Sequence, residues 1–156
     1  MVLEVKYMMM SMKRRLITGF VVMMLVVCSV PEVFAASVGF TKAYVEGNSY
    51  TYITRKDKTT KNGYVELLVK TMYTTDNKAA SYKKSKAQLR GWNGKSYVRA
   101  TSTADYGKTV TKGKESTFEL LKDYRKAGKT VKYYAKGNDP NKDCKITGTM
   151  WVDQEH

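Results

Sequence analysis

The stretch Lys86-Ala-Gln-Leu-Arg-Gly-Trp92-Asn93-Gly94-Lys95-Ser-Tyr-Val-Arg-Ala100-Thr-Ser102 decides the fold class. Asn-Gly is the pair that a two-residue type I′ turn prefers, because both central positions need φ > 0. A turn at Asn93-Gly94 joins two strands, and counting outward from it sets their register. Leu89 then faces Val98 and Ala87 faces Ala100 on one side, while Trp92 faces Lys95, Arg90 faces Tyr97 and Gln88 faces Arg99 on the other. The first set is apolar and the second polar or amphipathic, as a strand pair with one buried face requires.

The same period of two recurs outward from this hairpin. In Tyr64-Val-Glu-Leu-Leu-Val-Lys70, Val65, Leu67 and Val69 share one face and Glu66 and Lys70 the other. In Lys129-Thr-Val-Lys-Tyr-Tyr-Ala-Lys136, Val131, Tyr133 and Ala135 point inward and Lys132, Tyr134 and Lys136 outward. Strands are expected at 38–45, 49–54, 64–74, 86–92, 95–102, 108–112, 116–121, 129–136 and 145–152, separated by Gly, Asn, Asp and Lys clusters. The best helical pattern, 116–127 with Phe118, Leu120, Leu121 and Tyr124, is satisfied equally by a strand followed by a turn. A hairpin at Asn62-Gly63 would pair Leu67 with Lys58 and Val69 with Lys56, which puts lysines on a core face, so 55–63 reads as a longer basic loop. The expected architecture is an all-β antiparallel β-sandwich of about seven to nine strands, with a small β-barrel as the alternative.

Ahead of this domain, Met12-Lys13-Arg14-Arg15 supplies a positive region, Leu16 to Cys28 an apolar run, and Val33 and Ala35 a small-residue cleavage site. Residues 1–35 therefore read as a signal peptide whose true start is Met12, and 36–156 as one secreted domain beginning at Ala36. The apolar run is shorter than the roughly 20 residues of a transmembrane helix. Val27 stands where a lipidation signal at Cys28 wants Gly, Ala or Ser, which disfavours a lipid anchor. After cleavage Cys144 is the single cysteine, available for a disulfide to another chain but not for an internal one.

Of the 28 Lys and Arg and 14 Asp and Glu, four basic and two acidic residues lie in the leader, so the mature chain carries a formal charge of +12. Its 16 Thr, 11 Tyr and one Pro suit pleated sheet. The field attracts anions, and an exported protein meets teichoic acid, acidic polysaccharide and anionic membrane surfaces; no motif points to specific nucleic-acid binding. Lysines also protect sheet edges from aggregation. Within that field, Arg90, Trp92, Lys95, Tyr97 and Arg99 interleave aromatics with cations on one strand pair, a candidate binding strip.

Catalysis is hard to assemble. The single histidine, His156, is terminal, so Cys144 and the serines lack an imidazole partner and histidine-bearing zinc sites fail. Glu46, Glu66, Asp105, Glu115, Glu119 and Asp123 are the carboxylates left for a glycosidase pair, and Glu66 and Glu119 sit in alternating strands as wet-face residues. Asp139, Asn141 and Asp143 have the alternate spacing of a calcium loop, but Cys144 replaces the sharp-turn Gly and Met150 the closing Glu. No cofactor is implied. The segment Lys136-Gly-Asn-Asp-Pro-Asn-Lys-Asp-Cys-Lys-Ile-Thr-Gly-Thr-Met-Trp151 with the preceding Val131-Lys-Tyr-Tyr-Ala resembles the C-terminal end of small uncharacterised exported proteins of Gram-positive bacteria. That resemblance covers the last third of the mature chain; it implies a secreted β domain and carries over no catalytic residue.

The expectation is a secreted, non-enzymatic protein on anionic cell-envelope or matrix polymers. The other classes are an antibacterial effector on membranes and a protein-binding module using an exposed loop such as 55–63 or 76–84.

Overall fold

A computed structural model describes residues 36–155; the expected signal peptide, 1–35, with the expected cleavage site and Cys28, and His156, lie outside the described residues. Among the described residues nine strands form: β1 (Ser37–Val45), β2 (Thr51–Asp57), β3 (Tyr64–Tyr73), β4 (Lys84–Trp92), β5 (Tyr97–Arg99), β6 (Lys108–Thr111), β7 (Glu115–Glu119), β8 (Thr130–Gly137) and β9 (Cys144–Gln154). They make two antiparallel sheets packed as a sandwich, not a closed barrel. One sheet has the order β1-β9-β3-β7, the other β2-β8-β4-β5, with β6 also paired to β4. β5 and β6 lie end to end along one edge of β4, since β5 pairs with residues 90–92 and β6 with residues 84–87. Apart from the β4–β5–β6 run, each connection passes from one sheet to the other, so the two sheets are built from interleaved segments of the chain.

The alternation read from sequence places the core. Val65, Leu67 and Val69 of β3 and Val131, Tyr133 and Ala135 of β8 are all buried, meeting Ile146, Met150 and Val152 of β9 and Ala87 and Leu89 of β4 between the sheets. A register shift between Val69 and Thr71 moves the inward phase by one residue, so Met72 rather than Thr71 enters the core. The Tyr133 ring lies 5.6 Å from that of Phe40, linking the sheets across the core. The 116–127 segment is β7 followed by a single 3-10 turn, Lys122–Tyr124, which lowers the buried Tyr124 over one end of the core. Gly91 makes room for it: a Cβ there would stand 2.3 Å from Tyr124 Cδ1.

The central hairpin forms with a shifted turn. Asn93 N–H donates to Ser96 O at 3.1 Å, and Asn93 Oδ1 accepts from both Lys95 N–H and Ser96 N–H at 2.9 Å. Asn93 therefore enters the turn, and Gly94, at φ +102°, takes the first central position with Lys95 after it. The consequence is a register two residues off the expected one: Trp92 pairs with Tyr97, not Lys95, and Arg90 with Arg99, not Tyr97. Leu89 O accepts from Ala100 N–H at 3.0 Å, not from Val98. A two-residue slip keeps every side chain on its expected face. β5 also ends at Arg99, earlier than the expected 102, because Thr101 bridges to Leu120 and Leu121 N–H donates to Ala100 O at 2.8 Å.

Residues 55–57 belong to β2, so the basic loop is confined to 58–63. No hairpin forms at Asn62-Gly63, because β2 and β3 lie in different sheets. One lysine of this loop is nonetheless buried. Lys58 Nζ donates to Asp153 Oδ1 and to Asn62 O, both at 2.5 Å, and both side chains of the ion pair are fully covered. Asp153 is the extra residue where β9 pairs Val152 with Val65 and Gln154 with Tyr64, and it sits at φ 73°. That bulge points its carboxylate under the loop, where Oδ2 also accepts from Thr59 N–H at 2.6 Å and Thr59 Oγ1 at 2.9 Å.

Burial pushes the Asp153 carboxyl up, but the hydrogen bonds from Lys58 and Thr59 outweigh it and hold the group below the usual carboxylate range. A depressed carboxylate contributes stability that is full above its unfolded value, roughly 3.9, and lost as pH falls through the lower folded value. Asp153→Asn leaves Lys58 buried without its counter-charge and is expected to lower unfolding free energy by about 3–5 kcal/mol at neutral pH. In urea titrations the gap between variant and parent should narrow below about pH 4; a gap constant down to strong acid would mean the ion pair is not the source. Gly91→Ala is expected to cost about 1–3 kcal/mol by overpacking, with part of the loss recovered in the Gly91→Ala/Tyr124→Leu double variant, measured as a double-mutant cycle.

Candidate functional site

Because β4 and β8 alternate strictly, their outward residues form one surface with those of β2 and β5. Arg55 of β2 pairs with Lys132 of β8, Lys132 with Arg90 of β4, and Arg90 with Arg99 of β5. Four cations thus lie in register on one line across four adjacent strands. Like charges directly opposite one another oppose pairing. Among the described residues none of the four forms an ion pair; the five pairs present use Lys58, Lys78, Lys108, Arg125 and Lys142.

Aromatic rings flank the line on both sides. Tyr52 pairs with Tyr134 on one side, their rings 5.7 Å apart and edge-on, and Trp92 pairs with Tyr97 on the other at 5.2 Å. The rings hold the cations: Arg90 lies 4.4 Å from the centroid of Tyr134, and Lys132 Nζ lies 3.5 Å from that of Tyr97 and 5.6 Å from that of Tyr52. Each exposed cation–π contact is worth about 0.5–1 kcal/mol. Two unit charges about 5 Å apart in water repel by about 0.8 kcal/mol before salt screening, so the rings supply an offset of the right size. Gln88, expected outward opposite Arg99, is outward but covered, with its Oε1 accepting from Arg90 Nη2 at 2.9 Å. Arg90 Nε has no hydrogen-bond partner. Arg99 Nη1 donates to Thr103 Oγ1 at 2.9 Å.

Of the five residues of the expected strip, Arg90, Trp92, Tyr97 and Arg99 stand together on this face, and Lys95 stands in the turn. Trp92 and Tyr52 are 42% and 47% exposed, leaving ring surface free at both sides of the row. Beside Trp92 and Tyr97 lies an open cleft of about 360 Å³ completed by Gly128, Lys129 and Thr130. A further cation pair, Lys136 and Lys86, continues the basic face beyond Tyr134. The four-stranded sheet differs in charge, since its outward positions include Glu66, Glu115 and Glu119. Arg55, Lys132, Tyr52 and Tyr134 were absent from the sequence-derived strip. Alternation marks Lys132 and Tyr134 as outward, but nothing local says that β8 lies beside β4.

The loops at one end of the sandwich line a larger open cleft, about 840 Å³, between Tyr44, Glu46, Asn48, Tyr82, Asn141 and Asp143. Here lie the calcium candidates, and the two carboxylates among them already have partners. Asp143 accepts from the Tyr44 hydroxyl and, at 2.9 Å, from Gly47 N–H, contacts that hold its carboxyl below the usual range. Asp139 accepts from Asn141 N–H at 3.0 Å and pairs with Lys142 at 3.2 Å, with the same effect. These carboxylates pin loops together, and among the described residues no group of three or more His, Cys, Asp or Glu is placed to share a metal ion.

Cys144, at the start of β9, is buried and unpaired, and burial followed by the charge of Asp143 pushes its thiol up to about 11. A disulfide to a second chain would require this end of the sheet to open. Among the carboxylates considered for acid–base work, Asp105 pairs with Lys108 at 3.0 Å and Glu119 with Arg125 at 2.7 Å. Comparison of the chain with protein-family models, with curated proteins and with solved structures gives no match, and the likeness of its C-terminal third to exported Gram-positive proteins stays an expectation.

Proposed function

We propose that this chain is a secreted, non-enzymatic β-sandwich that associates with anionic polymers of the cell envelope or matrix, teichoic acid or acidic polysaccharide, through the outer face of the five-stranded sheet. The observation that carries the reading is the line of cations without carboxylate partners, each end flanked by exposed aromatic surface. A face built only for solubility gains nothing from aligning like charges; a face that receives an anion recovers that repulsion on binding. The ammonium of Lys132 stands over the Tyr97 ring, so that ring orients a cation and leaves Trp92, beside its cleft, as the surface open to a sugar or polyol. The mature charge of +12 that follows from the composition adds long-range attraction, which salt screens over about 10 Å at 0.1 M.

Cosedimentation of residues 36–156 with purified Gram-positive walls, before and after teichoic acid removal and across a salt series, tests this. The bound fraction is expected to fall steeply with salt and with removal of the polymer, and on the order of tenfold when Arg90, Trp92, Tyr97 and Arg99 are together replaced by Ala. Wall binding that survives both salt and polymer removal would overturn the polyanion reading. Binding unchanged in the fourfold variant would place the contact elsewhere. Leakage from anionic vesicles without wall binding would favour the membrane-active class instead.

A further inference from the structure

We infer that the row Arg55–Lys132–Arg90–Arg99 is a track for one linear phosphodiester chain, laid across the strands of the five-stranded sheet at right angles to them. This inference rests on the envelope-polymer reading above and narrows it to a direction, a set of residues and a backbone chemistry. Two of the four residues, Arg55 and Lys132, come from strands remote in sequence from the central hairpin, and only strand pairing aligns them with it. Neighbouring strands are spaced about 4.8 Å apart, so the row spans roughly 14 Å and presents one cation per strand.

A charge carried in the main chain of a polymer recurs along a single line, and a single line of cations reads it. A uronate hangs its carboxylate from a bulky ring and offsets the charge from the chain axis, which suits a broad patch better than a row. Three of the four cations are arginines, whose planar guanidinium forks match the paired non-bridging oxygens of a phosphate. Arg90, at the middle of the row, is held over Tyr134 and by its bond from Nη2 to Gln88 Oε1, which fixes the direction of its guanidinium. The rows Tyr52–Tyr134 and Trp92–Tyr97 on either side confine the chain laterally, and the exposed ring of each, Tyr52 and Trp92, is open to the C–H edges of an alditol or sugar between phosphates. In-register like charges contradict the pairing preference of a sheet, and departures of this kind concentrate at functional sites.

The test is the affinity of oligo(glycerol phosphate) of increasing length for residues 36–156, by fluorescence anisotropy across a salt series. Affinity is expected to rise with each phosphate until the oligomer spans the row and then to level. Replacing Arg55, Lys132, Arg90 and Arg99 together by Gln should weaken binding on the order of tenfold or more, and flatten the salt dependence by about one counterion per cation removed. A charge-matched control replaces Lys61, Lys70, Lys114 and Lys122, all exposed and off this face, by Gln, and should stay within about twofold of the parent. Unchanged thermal melting of both variants shows that the sheet is intact.

Equal losses in row and control variants would overturn the track and leave a diffuse field, with wall association itself still standing. Full binding by the row variant would overturn it as well. Oligo-uronates that bind as tightly as the phosphate oligomers would overturn the phosphodiester assignment. A parent chain that binds neither oligomers nor walls removes both this inference and the reading it rests on.

Discussion

The ladder between β4 and β8 is the constraint on which the rest of this molecule depends. Its seven registered pairs run from Ser85–Gly137 to Gly91–Val131 and place Ala87, Leu89, Val131, Tyr133 and Ala135 toward the opposite sheet. Because strand side chains alternate with a period of exactly two, the same pairs necessarily place Lys86, Arg90, Lys132, Tyr134 and Lys136 on the outside. Core and candidate binding face are therefore two sides of one register. A one-residue slip would bury cations and expose the apolar set together, so the hydrophobic core itself guards the geometry of the basic row.

Lys58 and Asp153 perform a different task. β2 and β3 belong to different sheets, and the loop between them must cross the edge of the sandwich without leaving backbone groups unpaired. The Asp153 bulge in β9 turns a carboxylate into that crossing, Lys58 and Thr59 close on it, and Asn62 Nδ2 returns a bond to Asp153 O at 2.9 Å. A fully buried ion pair adds little net stability compared with apolar packing, but it is costly to break and exacting in geometry. Its effect here is to hold one loop conformation. Arg55, the first cation of the row, lies three residues before Lys58, in the strand that leads into this loop.

The two ends and two faces of the sandwich divide the polar chemistry between holding the structure and remaining available. Asp139, Asp143 and Tyr44 spend their hydrogen bonds on one another and on Gly47 and Asn141, so the loop end is stitched and its carboxylates are engaged. In the row on the five-stranded face, Arg90 and Lys132 lie over aromatic rings, and among the described residues none of the four cations is in an ion pair, while Asp57 on the same face accepts from Thr130 Oγ1. An ion pair satisfies a cation; a ring face orients it and leaves its charge for a partner.

The sequence by itself determined the all-β class, the nine strand segments to within a few residues at most ends, and the inward and outward sides of β3, β4 and β8, because a period of two is a local property of the chain. Arg90, Trp92, Tyr97 and Arg99 were legible as one strip for the same reason, since a short turn holds their strands together. Their exact partners were not: whether Asn93 enters a turn or sits at its centre depends on which N–H groups its side chain captures, and that shifts pairs by two residues without changing faces. The burial of Lys58 was also hidden. A lysine on a core face is a sound objection to a hairpin, and only the folded chain brings Asp153, 95 positions away, to neutralise it. Tertiary structure alone decided that Arg55 and Lys132 extend the strip into a row, because the neighbours of a strand are chosen by non-local pairing and packing between sheets, for which no pattern within a single segment carries the information.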